Sequence, residues 1–272
     1  MKKTFLFTLN LIVMNKYNII LVVVYACLLI TSCIGSLSEC ANIEKKELVL
    51  LLDLTDPLLF EAIDDDIKQN FGSFMSRTGL SNISTCSEFK LGMAPITASD
   101  NLNLLSHTIG VNRKGLSRKA ERDLANPSIL VNFMNHHLDE YKKLSHLPET
   151  TARSVIANVI FKAIVNTDSD AESVVLIFSD LAENNGTVNF YRRIPPSAEI
   201  PGIINQMVET SVLDQLNRRQ QRGLTAKIII VLMPEPSGRP DIREIRRFWT
   251  DLFDYLKLDV QFIDNLTNTV EL

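Results

Sequence analysis

The sequence predicts a doubly wound α/β domain, with a mostly parallel sheet flanked by helices and a signal peptide in front of it. Three observations carry that expectation. Short continuous apolar runs (ELVLLLD at 47–53, SVVLIFS at 173–179, AKIIIVLM at 226–233), the first two closed by a polar residue, suit strands buried on both faces. Stretches of helical periodicity separate them, and strands joined through helices make right-handed crossovers. The 272 residues are 46% apolar and only 22% charged, a balance for a folded body rather than a disordered chain.

In chain order, residues 1–32 come first. They hold Lys2, Lys3 and Lys16, no acid, and a twelve-residue apolar run from Ile19 to Ile30. A membrane-spanning helix needs about 20 apolar residues, so the run has instead the length of a signal-peptide core. Ile30-Thr31-Ser32-Cys33 follows at once and resembles the bacterial lipobox. That resemblance implies that Cys33 is lipidated, that 1–32 is removed, and that the domain is tethered to a membrane of the bacterial cell envelope. Met14 opens a short basic segment, MNKYN, and is a second candidate start. Residues 33–46 form the lipidated tether and 47–272 the domain. With Cys27 lost in the signal and Cys33 acylated, Cys40 and Cys86 remain, either bridged in an oxidising compartment or as two thiols.

The domain begins with the strand Glu47–Asp53. Pro57 opens a helix to about Arg77, with Leu58, Ile63, Ile67, Phe71 and Phe74 near helical spacing and Gly79 as its stop. Glu88–Ile96 reads as a second strand and Asn103–Ile109 as a short edge strand. The polar, basic segment Asn112–Arg122 has no clear assignment. Pro127–Leu144 and Thr151–Val165 read as helices separated at Pro148, and Ser173–Ser179 as a buried strand. Glu199–Arg218 reads as one helix, Ala226–Met233 as a strand, Asp241–Leu256 as an amphipathic helix, and Asp259–Ile263 as the last strand.

Ligands of such sheets bind beyond the carboxyl ends of the strands. Those ends read Asp53-Leu54-Thr55-Asp56-Pro57 and Ser179-Asp180-Leu181-Ala182-Glu183-Asn184. Their carboxylates and hydroxyls are hard oxygen donors of the kind that Mg²⁺ takes. Asp53-x-Thr55 after the first strand, and VVLIFSD ending at Asp180, resemble a von Willebrand factor type A domain over about residues 47–265. The resemblance implies a metal-ion-dependent adhesion site, built from a D-x-S-x-S loop, a downstream Thr and a later Asp. Asp53, Thr55, Thr151 and Asp180 are the matching metal ligands, and Mg²⁺ or another divalent cation is the implied cofactor. Pro57 replaces the second hydroxyl of the loop, Asp56 falls in the wrong phase to substitute, and Thr150 and Ser154 compete with Thr151 for the downstream position. Asp56 before Pro57 also makes an N-cap.

The remaining features read as structural. His136 and His137 are adjacent on a helix, about 100° apart, and poor joint ligands. Asp64-Asp65-Asp66 reads as a solvated acidic face, Arg218–Arg222 with Arg243, Arg246 and Arg247 as solubilising charge, and Trp249 with Phe248, Leu252 and Phe253 as helix-to-sheet packing. There is no G-x-S-x-G, P-loop or G-x-G-x-x-G sequence. A net charge of −4 gives no bulk attraction to nucleic acid. The expectation is a non-enzymatic lipoprotein that binds another envelope protein. An envelope metal-assisted hydrolase, or a structural subunit with a dead metal site, is the alternative.

Overall fold

The apolar runs lie side by side at the centre of one sheet. The computed structural model describes residues 42–80, 87–110, 127–147, 153–224, 226–233, 241–268 and 270, all within the compact unit Asn42–Leu272. In order they form β1 (Glu44–Asp53), α1 (Pro57–Arg77), β2 (Ser87–Ile96), β3 (Leu105–Gly110), α2 (Pro127–Leu144), α3 (Ile156–Val165) and β4 (Glu172–Ser179). A 3₁₀ turn (Ser197–Glu199), α4 (Ile200–Met207), α5 (Thr210–Gln221), β5 (Lys227–Leu232), α6 (Ile242–Tyr255) and β6 (Val260–Ile263) complete them. The sheet order is β3-β2-β1-β4-β5-β6. All pairings are parallel except that of β3 with β2, which is antiparallel. The expected mostly parallel, helix-flanked sheet is therefore present, with β3 at its edge.

Period-two alternation divides each central strand between two cores. Leu48, Leu50 and Leu52 of β1 face the same way as Val174, Leu176 and Phe178 of β4, into a core completed by α1 and α2. Val49, Leu51, Val175 and Ile177 face the opposite core, completed by α3 to α6. The register sets Leu48 beside Leu91 of β2 and Val174 of β4. α1 starts where Asp56 accepts the N–H groups of Leu58 (2.7 Å) and Leu59 (3.2 Å), with Pro57 in its first turn, as its sequence suggested. Trp249 is fully buried and donates from Nε1 to the Leu181 carbonyl at 2.9 Å. Phe248 packs edge-on against Phe190 at 4.9 Å, so the aromatic cluster of α6 is core.

Several expectations are corrected. The helix read over 199–218 is two helices, because Val208 (φ −132°, ψ 136°) and Glu209 (φ −59°, ψ 135°) are extended. Asn158 of α3 fixes that break: its Oδ1 accepts the Glu209 N–H at 3.1 Å and its Nδ2 donates to the Glu209 carboxylate at 3.0 Å. Of the helix read over 151–165, the described residues 153–155 lie outside the helix, which runs from Ile156 to Val165. The acidic run in α1 is not simply solvated. Asp64 is buried and paired with Lys68 at 2.8 Å, while Asp66 accepts the N–H of Leu266 at 3.1 Å. Arg219 does more than solubilise, since its guanidinium holds the carbonyl (2.9 Å) and hydroxyl (2.8 Å) of Thr167. Cys33, Cys40, Cys86, Thr150, Thr151, the connector 112–122 and the signal 1–32 lie outside the described residues. Among the described residues, no helix is long and apolar enough to cross a membrane.

Candidate functional site

The strand order reverses direction between β1 and β4, so the topological switch point falls at the carboxyl ends of those two neighbours. Asp53 closes β1 there. Leu52 lies opposite Phe178 in the register, which sets Asp53 beside Ser179, both directed away from the α1 core. The Asp53 carboxylate is fully buried. Its Oδ1 accepts the Thr55 N–H (3.0 Å) and hydroxyl (2.5 Å), and its Oδ2 accepts the Ser179 hydroxyl at 2.5 Å. Ser179 Oγ in turn accepts the Leu181 N–H at 2.8 Å. Asp180, one residue past the strand and nearly buried, accepts the Ala182 N–H on Oδ1 at 2.8 Å. Asp56 is committed to capping α1, as described above.

The loop after β4 is held by backbone that glycine would adopt more readily. Leu181 has φ 59°, a left-handed conformation that costs a non-glycine residue about 1–2 kcal/mol. Burial of its side chain in the α3–α6 core and the bond from Trp249 hold it there. An antiparallel bridge then joins Asn184 to Ser154, Ser154 N–H to Asn184 O at 3.1 Å and Asn184 N–H to Ser154 O at 2.8 Å. Ser154, the described member of the three alternatives for the downstream hydroxyl, thereby reaches the loop that carries Asp180.

Sequence reasoning missed Glu183. Its side chain is fully buried, and its Oε2 accepts the N–H groups of Ile156 (3.0 Å) and Ala157 (2.9 Å), the first turn of α3. α3 has no side-chain cap of its own at Val155, so a carboxylate from the loop after β4 supplies one at the positive end of the helix. Glu183 Oε1 is buried without a hydrogen-bond partner. Burial pushes the Glu183 carboxyl up to about 8, and the charge of Asp53 adds to the rise, against the lowering effect of the two amides and Asn185. Burial likewise raises Asp53 above the ordinary carboxylate range, opposed by the bonds from Ser179 and Thr55. Hydroxyls and backbone amides hold both groups, and among the described residues no Lys, Arg or His is paired to either. An all-oxygen donor set, two buried carboxylates both raised by burial and an orphaned buried oxygen fit a hard divalent cation, with one hydroxyl fewer because Pro57 contributes none.

No family model and no curated protein matches the chain. Among solved structures it is similar to the pilus adhesin SpaC from Lactobacillus rhamnosus GG, in the open conformation. That likeness has 12% identity and a TM-score of 0.41, over 84% of this chain and 29% of that one. It is also similar to proximal thread matrix protein 1 from the mussel byssus, at 11% identity and a TM-score of 0.33, over 83% of this chain and 45% of that one. A structure of the mussel protein with a zinc-occupied MIDAS motif gives 10% identity and a TM-score of 0.34. The chain spans less than half the length of each of these proteins.

Proposed function

We propose that the compact unit Asn42–Leu272 is a von Willebrand A-like protein-interaction module, non-catalytic and presented in a bacterial cell envelope on a lipid at Cys33. In this reading Asp53, Thr55 and Asp180, with a hydroxyl from Thr151 or Ser154, hold a divalent cation such as Mg²⁺, directly or through water. The cation supplies a Lewis-acidic position for a carboxylate of an envelope partner protein. Asp53 anchors the arrangement, its orientation fixed by Thr55 and Ser179, and Glu183 fixes the start of α3 beside it. The observation that carries the reading is the burial of Asp53 and Glu183 at the switch point: burial raises both carboxyls, the charge of Asp53 adds to the rise of Glu183, and among the described residues no basic side chain pairs with either. Among the described residues, the four histidines lie on β3, on α2 and just after α2, none at these strand ends.

The deciding experiment is a thermal melt of the full chain with and without millimolar Mg²⁺ or Mn²⁺. A cation that binds only the folded state raises the melting temperature, and Asp180→Asn is expected to abolish the rise. Capture of an envelope protein that chelator releases is the expected companion result. Melts that do not respond to either cation leave Asp53, Asp180 and Glu183 as loop and helix-capping groups, and the metal reading fails.

A further inference from the structure

A second constellation lies on α2, away from the strand ends. Taking 100° per residue, Glu140 projects about 40° from His136 and about 60° from His137, between two imidazoles that diverge from one another. The two histidines alone would make poor joint ligands, but the acid one turn on lies within reach of both. The Glu140 carboxylate spans both: Oε2 is 2.9 Å from His137 Nδ1 and Oε1 is 3.5 Å from His136 Nε2. The three donor atoms lie within 4.8 Å of one another. A tetrahedral ion with nitrogen and oxygen ligands at about 2.0–2.1 Å holds them roughly 3.3 Å apart, between the two separations observed.

The site is also partly preorganised. The His137 side chain is only 13% exposed, with the Phe133 ring edge-on at 4.6 Å and the Tyr141 ring at 6.2 Å. The opposite side of α2 is anchored by Leu130, Met134 and Leu138 in the core. His136 and Glu140 are 68% and 49% exposed, free to close on an ion and to leave its other positions open. Two imidazoles and one carboxylate suit borderline ions of the Zn²⁺, Ni²⁺ and Cu²⁺ class rather than Mg²⁺ or Ca²⁺. We propose that His136, His137 and Glu140 form a surface site for one such transition-metal ion, independent of the strand-end loops and of the reading given to them.

The test is calorimetric titration of ZnCl₂ into the full chain, its Asp180→Asn variant, and the single variants His136→Ala and Glu140→Gln. The last two change exposed positions, and circular dichroism checks their fold. One Zn²⁺ per chain is expected in the wild type and in Asp180→Asn, with affinity reduced about tenfold or more in the two α2 variants. The imidazole ¹⁵N resonances of His136 and His137 should shift on addition of Zn²⁺. The proposal is overturned if the wild type binds no Zn²⁺ at about 100 μM, a concentration that detects even weak sites. It is equally overturned if the α2 variants bind as the wild type does, or if only Asp180→Asn abolishes binding, which assigns the ion to the strand ends. Failure of the Mg²⁺ melts leaves this result untouched.

Discussion

Glu183 holds its proton more tightly in the folded chain than in the unfolded one. With its carboxyl raised from 4.5 to about 8, the folded state binds more protons than the unfolded state between those values, so stability falls as pH rises through that window and levels off above it. Asp53 is raised as well and adds a slope of the same sign. Glu183→Gln keeps an acceptor for the Ile156 and Ala157 N–H groups while removing the titration. Melting temperatures of this variant in chelator are expected to depend less on pH across 5–8 than those of the wild type. Asp56→Ala removes a cap that serves two N–H groups of α1, and urea unfolding is expected to report a loss of about 1 kcal/mol. The strand-end positions of Asp53 and Asp180 were legible in the sequence because an acid at the close of an apolar run announces itself. Glu183 was not, because the N–H groups it caps lie 26 and 27 residues earlier in the chain and on another element.

At the level of elements, the central strands were legible to within a few residues, since burial on both faces leaves few polar positions to confuse the pattern. The break between α4 and α5 was not. Val208 and Glu209 carry no proline or glycine signal. What stops the helix is tertiary: the amide of Asn158, together with Lys162, whose ammonium lies 2.6 Å from the Glu209 carboxylate. Asn158→Leu strands the Glu209 N–H against an apolar side chain. Equilibrium denaturation is expected to show a loss of about 1 kcal/mol, the typical net contribution of a hydrogen bond at a part-buried position. Asn158→Asp retains an acceptor for that N–H but sets a second carboxylate against Glu209, so an intermediate loss is expected.

For the whole molecule, the sheet brings residues distant in sequence into one structure, and the C-terminal segment shows what that entails. Leu266 is fully buried in the α1–α2 core. Its N–H is held by Asp66, and its carbonyl accepts from the Arg77 guanidinium. These contacts join segments 200 and 189 residues apart. Closing so large a loop costs entropy before the contact returns any stability, so such a clasp is expected to form after the folding barrier has been crossed. An interaction made that late governs how slowly the native chain comes apart rather than how fast it assembles. Asp66→Ala should therefore steepen the loss of native protein in unfolding kinetics while leaving the refolding rate nearly unchanged. The clasp would thus act as a latch on lifetime, limiting how often the domain opens to a protease.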